Sequence, residues 1–321
     1  MLSTIKTAHH QLADGYAIGM KTKVPTGKFE HLIICGMGGS ALAGEMLKDY
    51  VKEEVQIDVV HDYFLPAGIV REHSLVLAFS YSGTTEETIS CLNDARKKDI
   101  PIVVICNDGA MKEIALENHL PYYELPKIDE PRCSIGYGLG ILMAILEQVG
   151  VMRCLECSID ETATFIESQL DALETLGRTL ASQIKGTVPI IYAGPSRSSL
   201  ARVMKIHFNE NAKTQSFCGE IPEMNHNEMA GYTNLIMKPT IIYLRSQFDY
   251  DRVRLRMDVM KELLEEKSIP NINIRLKGGS WLDETYYTLM LAYFASYFLA
   301  EEYGVDYSNL EIVKEFKKRI A

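Results

Sequence analysis

Residues 31–51, HLIICGMGGSALAGEMLKDYV, decide how this chain folds. His31–Cys35 is a short apolar run of the kind that forms a buried strand. It stops at Gly36-Met37-Gly38-Gly39-Ser40, and a helical pattern follows from Ala41 to Val51. Strand, glycine turn and helix make one half of a βαβ unit.

The same rhythm extends outward. Upstream, residues 1–25 carry helical spacing until Pro25-Thr26-Gly27 interrupts it. Downstream, strands are expected at Val55–Val60, Ser74–Phe79, Pro101–Cys106 and Tyr122–Leu125. Helices are expected from Ser80–Thr85 to about Lys98 and over Ser134–Val149. The pattern returns at Val188–Ala193, a strand that ends in Gly194-Pro195-Ser196-Arg197-Ser198 with a helix behind it. Further strands are expected at Thr240–Leu244 and Asn271–Leu276, with helices over 250–267 and 281–303. Alternating strands and helices of this kind predict parallel sheets covered on both faces. The expected fold is α/β, with two doubly wound, flavodoxin-like subdomains. Their expected extents are 1–152 and 153–321, with 153–186 as a helical connection.

Composition narrows the function. The chain has 321 residues, and 47% of them are apolar, enough for a substantial core. A net charge of −10 with no basic stripe argues against a nucleic-acid surface. No apolar run approaches the roughly 20 residues of a membrane span. The opening residues, MLSTIKTAHHQLADG, lack an apolar signal core, so a cytoplasmic protein is expected. Seven scattered cysteines do not suggest a disulfide framework, and Cys154 and Cys157 read as reduced thiols in a linker region.

Two strand-to-helix turns carry chemistry. Gly36, Gly38 and Gly39 allow close approach of an anion to a helix start with unpaired N–H groups. Ser80-Tyr81-Ser82-Gly83-Thr84-Thr85 presents five hydroxyls at a second helix start. Neither turn is followed by the lysine of a nucleotide-binding P-loop. A phosphate monoester suits this pair. Gly36-x-Gly38-x-x-Ala41 also matches a dinucleotide fingerprint, with Asp58 or Asp62 about 20 residues on. A plain cluster of helix N-caps would explain one hydroxyl but not five. In the second half, FNENAK (208–213) carries Glu210, and FCGEIPEMNHNEMAGY (217–232) places His226 between Glu223 and Glu228. Carboxylate and imidazole suit proton transfer on a sugar, although a hydrogen-bonded connecting loop would also use them.

GMGGS (36–40) and SYSGTT (80–85) together resemble the sugar isomerase (SIS) domain. With Pro131-Arg132, NENAK (209–213) and PEMNHNE (222–228), nearly the whole chain resembles the bifunctional phosphoglucose/phosphomannose isomerases, which have two SIS-type halves. The resemblance implies a substrate phosphate on Gly38, Gly39, Ser40, Ser80, Ser82, Thr84 and Thr85. Thr84 stands where the family commonly has Asn. It implies Glu210 as the proton-transfer base and Arg132 as the cation beside an enediolate. His226 would assist ring opening, reaching in from a neighbouring subunit of a homodimer. A C-terminal lysine completes the site; Lys317 matches best, with Lys314 and Lys318 close by. No cofactor or metal is implied.

These residue types fit the chemistry. Aldose–ketose isomerisation opens a ring and then moves a proton between adjacent carbons, which needs one carboxylate facing both. A fixed cation stabilises the charge that develops, and an imidazole suits the ring oxygen. The expected reaction interconverts glucose 6-phosphate, and mannose 6-phosphate, with fructose 6-phosphate. The rival readings are a non-catalytic sugar-phosphate sensor and a nicotinamide-dependent oxidoreductase. Ser308 stands before the last helix as either a sugar contact or an N-cap. The Tyr/Leu stripe of 286–299 is expected to be core or subunit interface.

Overall fold

A computed structural model describes residues 1–51, 54–153 and 155–320. Cys154, one of the paired linker cysteines, lies outside the described residues. The chain divides into two compact units. One comprises Ser3–Ser168 with Trp281–Tyr286; the other comprises Met1–Leu2, Gln169–Ser280 and the chain from Tyr287 onward. The division falls inside one long helix, and a segment from the C-terminal part belongs to the first unit.

The first unit opens with helices α1 (Leu2–Thr7) and α2 (Gln11–Lys21). Strand β1 (His31–Cys35) leads to α3 (Gly38–Tyr50), then β2 (Gln56–Val60) and β3 (Ser74–Phe79). Next come α4 (Glu86–Lys97), β4 (Ile102–Cys106), α5 (Ala110–Glu117), β5 (Tyr122–Glu124), α6 (Ile135–Gln148) and the start of α7 (Leu155–Ile184). The five strands are parallel in the order β2-β1-β3-β4-β5. β3 and β4 are buried along their whole lengths, because helices cover both faces of a parallel sheet. Ile33, Val76, Ala78 and Val104 meet Cys91, Leu92 and Ala95 of α4 and Met111 and Ala115 of α5 in one apolar core. The strand order reverses direction between β1 and β3, and in open sheets of this kind ligands bind beyond the carboxyl ends of the strands at such a point. Both turns singled out in the sequence leave from those two strand ends.

The second unit repeats the plan. It holds β6 (Val188–Ala193), α8 (Ser198–Glu210), β7 (Phe217–Glu220), β8 (Pro239–Arg245), α9 (Asp251–Glu266), β9 (Asn271–Arg275), most of α10 (Trp281–Tyr303), and α11 (Glu311–Ile320). Its parallel sheet runs β7-β6-β8-β9. Tyr192, Ile241 and Tyr243 pack against Met257, Met260 and Leu264 of α9. Leu289–Phe294 of α10 are buried, so that part of the Tyr/Leu stripe is core.

Two elements escape the sequence reading. β7 lies inside the stretch read as functional loop. It is a four-residue edge strand with mostly exposed side chains, so it shows neither an apolar run nor alternation. α5 fills the interval between β4 and β5. Its eight residues, AMKEIALE, are too few for a helical period to stand out. α3 begins at Gly38 rather than Ala41, because the two glycines form its first turn.

Candidate active site

In the first unit the glycine turn is shaped by close approach. A Cβ on Gly36 would stand 2.8 Å from the carbonyl oxygen of Phe79, so the end of β3 leaves no room for a side chain. Gly38 has φ +53° and open space around its Cα. α3 starts there without a side-chain cap, and the Ser40 amide donates to the Met37 carbonyl at 3.2 Å. His61, just past β2, spans the Gly36 carbonyl at 3.2 Å and the Glu45 carboxylate at 2.9 Å, bracing the turn from below.

The second turn is a connected set of hydroxyls. Ser80 and Thr85 are 2.8 Å apart, Ser82 and Thr84 3.0 Å, and Ser80 and Ser82 3.4 Å. Thr85 holds the N-cap position of α4, yet its side chain caps no amide. The N-cap explanation therefore does not account for the cluster. Ser80 is buried, Thr85 half-buried, and Ser82 and Thr84 face solvent. Gly83 has φ +65°, and a Cβ there would fall 1.7 Å from the Asp108 carbonyl oxygen. The Asn107–Gly109 turn thus presses the hydroxyl turn into place, with the Met111 amide donating to the Gly83 carbonyl at 3.0 Å.

The two turns are joined directly. The amide of Tyr81 donates to the Ser40 hydroxyl at 3.1 Å. The Tyr81 side chain departs from the sequence expectation. Its hydroxyl donates to the Pro126 carbonyl at 3.0 Å and accepts from the Ile128 amide at 2.9 Å. It is occupied within the protein rather than offered to an anion. Burial raises its pKa, keeping it a neutral group that can donate and accept at once.

Arg132 sits in a short 3-10 turn, Pro131–Cys133, just before α6. Its guanidinium is 3.2 Å from the Glu130 carboxylate, with the two side chains 14% and 11% exposed. Glu130 is a partner that the sequence does not advertise; a carboxylate two residues before Arg132 was the only available signal.

In the second unit Glu210 is the last residue of α8 and is half-buried. Its neighbours hold the helix end. Lys213, at φ +54°, donates to the main-chain carbonyls of Glu210 at 2.6 Å and Tyr307 at 3.1 Å. The Asn209 amide group donates to the Thr214 carbonyl at 2.7 Å, and the buried Asn211 donates to Ser296 on α10 at 2.9 Å. The asparagines of NENAK thus fix the position at which α8 ends, and with it Glu210.

His226 closes a 3-10 turn after β7, its amide donating to the Glu223 carbonyl at 3.0 Å, and its ring is exposed. The flanking carboxylates have structural work. Glu223 accepts from Asn227 at 2.8 Å, and Glu228 accepts from the Tyr192 hydroxyl at 2.6 Å. Tyr232 joins this group, 2.8 Å from Tyr192. Burial and these neighbours push the Tyr192 phenol well above its usual range, and burial pushes Tyr232 up to about 12. The carboxylates beside His226 brace the loop that presents it.

The C-terminal lysines are less defined. Lys314, Lys317 and Lys318 are all exposed on α11. Asn309 supplies the helix cap, accepting from the Glu311 amide at 2.8 Å. Ser308 donates to Asp306 at 2.7 Å instead, so it is not the N-cap. Of the two acidic residues that fit the dinucleotide fingerprint, Asp58 lies midway along β2 with its carboxylate 2.9 Å from His31, and Asp62 lies two residues past the strand, accepting from the Tyr63 amide at 2.6 Å. Among the described residues no three His, Cys, Asp or Glu side chains come together to hold a metal ion, and no helix is long and apolar enough to cross a membrane.

Comparison with known proteins bears on the fold and the family. Residues 28–120 match the SIS domain family, and residues 174–320 match the bacterial phospho-glucose isomerase C-terminal SIS domain. A bifunctional phosphoglucose/phosphomannose isomerase of Aquifex aeolicus is 32% identical over 91% of both chains. One from Caldicellulosiruptor bescii is 27% identical over 100% of this chain and 99% of that protein. Among solved structures, a hypothetical protein of Thermus thermophilus aligns with a TM-score of 0.79 at 16% identity, over 99% of this chain and 91% of that one, a likeness of fold. The α/β architecture with two doubly wound sheets and the end-to-end match with the Aquifex protein lead to one conclusion: the chain belongs to the bifunctional phosphoglucose/phosphomannose isomerase family.

Proposed function

We propose that the protein is an aldose–ketose isomerase that interconverts glucose 6-phosphate and mannose 6-phosphate with fructose 6-phosphate through a cis-enediol(ate). The observation that carries this reading is the joined pair of turns at the β1/β3 switch point. The Tyr81–Ser40 hydrogen bond ties the two helix starts and their hydroxyl network together, an arrangement that suits a phosphate monoester. Backbone N–H groups at Gly38 and Gly39, with the hydroxyls of Ser40, Ser80, Ser82, Thr84 and Thr85, hold the ester.

Glu210 takes the proton from one carbon of the opened sugar and returns it to its neighbour. Arg132 stabilises the enediolate oxygen as charge develops. His226 moves a proton at the ring oxygen, and Lys317 completes the site. The exposed loop around His226 suits a homodimer in which this side chain serves the partner's site. Both aldoses arise from one enediol if the proton can return to either face of C2. No cofactor enters the scheme, and a cytoplasmic location fits the substrate class.

The test is NMR of the protein with fructose 6-phosphate in deuterated buffer. Deuterium at C2 of both glucose 6-phosphate and mannose 6-phosphate is expected. Binding without exchange would establish a sensor instead. Titration with NADH, followed by fluorescence, separates the oxidoreductase reading: Asp58 is engaged by His31 within β2, whereas Asp62 lies just past the strand end.

A further inference from the structure

We infer that Tyr81 is a positioning residue for Arg132, coupling the phosphate turns to the segment that carries the cation; this rests on the isomerase reading above. Three parts of residue 81 reach three parts of the fold. Its N–H donates to Ser40 in the glycine turn, and its carbonyl accepts from the Asn107 amide at 2.9 Å in the turn that supports Gly83. Its hydroxyl clasps the chain at Pro126 and Ile128, a few residues before Glu130 and Arg132.

Leu125 is still bound to β4, through its amide to the Cys106 carbonyl at 3.0 Å and its carbonyl to Asn107 at 2.6 Å. The next regular bonding is the 3-10 turn, where the Cys133 amide donates to Glu130 at 2.8 Å. Between these points the Tyr81 hydroxyl holds the chain at two main-chain groups, the Pro126 carbonyl and the Ile128 amide. A neutral phenol both donates and accepts; a phenylalanine ring fills the same space and does neither. Losing the clasp frees residues 126–130 to shift. A displacement of about 1 Å in a charge-stabilising group lowers turnover as much as a hundredfold, with binding of the distant phosphate untouched.

The experiment compares the parent enzyme with Tyr81→Phe, Arg132→Ala and the double variant. It reads kcat and KM for fructose 6-phosphate, and competitive inhibition by inorganic phosphate. Tyr81→Phe is expected to lower kcat by about tenfold or more, with phosphate inhibition unchanged. In the Arg132→Ala background it should cost nothing further, because both changes act through one group. Ile128→Pro removes the amide that donates to the Tyr81 hydroxyl while leaving the bond to the Pro126 carbonyl, and should lower kcat in the same direction but by less. An unchanged kcat, weaker phosphate inhibition as the main effect, or an equal proportional loss in both backgrounds would overturn the inference while leaving the isomerase reading standing. A parent protein without turnover would overturn both.

Discussion

The guanidinium of Arg132 lies 3.2 Å from the carboxylate of Glu130, and both side chains are largely withdrawn from water. A cation held this way keeps its orientation before substrate arrives. Its partner therefore matters to stability as well as to chemistry. Glu130→Ala leaves a largely buried charge without this partner and should cost about 3 kcal/mol. Glu130→Gln keeps a hydrogen-bond acceptor and should cost less than half of that. Urea denaturation of the two variants measures the difference.

Glu210 ends α8 at a point fixed by Asn209, Asn211 and Lys213. Glu210→Gln preserves the shape but cannot take up a proton. Turnover should fall by roughly a thousandfold or more, with sugar-phosphate binding nearly intact. Calorimetric titration with inorganic phosphate reports the binding, and C2 deuterium exchange reports the chemistry. Full exchange in the variant would remove Glu210 from the mechanism.

Gly83 and Gly38 both have positive φ but differ in surroundings. A side chain at Gly83 meets the Asp108 carbonyl, whereas one at Gly38 meets open space. Gly83→Ala should cost roughly 3 kcal/mol, combining left-handed strain with overpacking. Gly38→Ala should cost about 1 kcal/mol, yet weaken phosphate binding more, because the proposed phosphate site lies at the start of α3. Thermal melts with and without phosphate separate the two effects.

The exposed His226 ring on a braced loop leads to a test of subunit sharing. His226→Ala and Glu210→Gln chains, each inactive alone, are expected to regain part of the activity when mixed under conditions that exchange subunits. No recovery, with exchange confirmed by mass spectrometry of tagged chains, would place both residues in the same chain's site.

Cys106 ends β4 inside the core, and burial pushes its thiol from the usual 9.0 to about 11. The folded chain keeps this proton to higher pH than the unfolded chain does. Between pH 9 and 11 the unfolded state therefore binds fewer protons, and stability falls as pH rises. The loss approaches roughly 2–3 kcal/mol by pH 11. Cys106→Ala should flatten that part of the stability–pH curve, measured by denaturant midpoints. A curve of unchanged steepness would assign the alkaline loss to other groups.

Strands β1, β3 and β4, their glycine and hydroxyl turns, and the alternation that makes both sheets parallel were legible in the chain. Each of these depends on neighbours close in sequence: an apolar run, a residue free to take positive φ, a helix start. NENAK and NHNE stood out as a carboxylate and an imidazole in short polar runs, and their expected roles came from resemblance to the family. Sequence could not show that the Tyr81 hydroxyl clasps residues 126 and 128, or that Glu130 partners Arg132. Nor could it show that Glu223 and Glu228 brace a loop, or that Phe217–Glu220 adds a strand to an edge. Those outcomes depend on which polar groups are buried beside one another once the sheets form. A buried donor or acceptor must find a partner wherever packing has left one, and that pairing exists only in three dimensions.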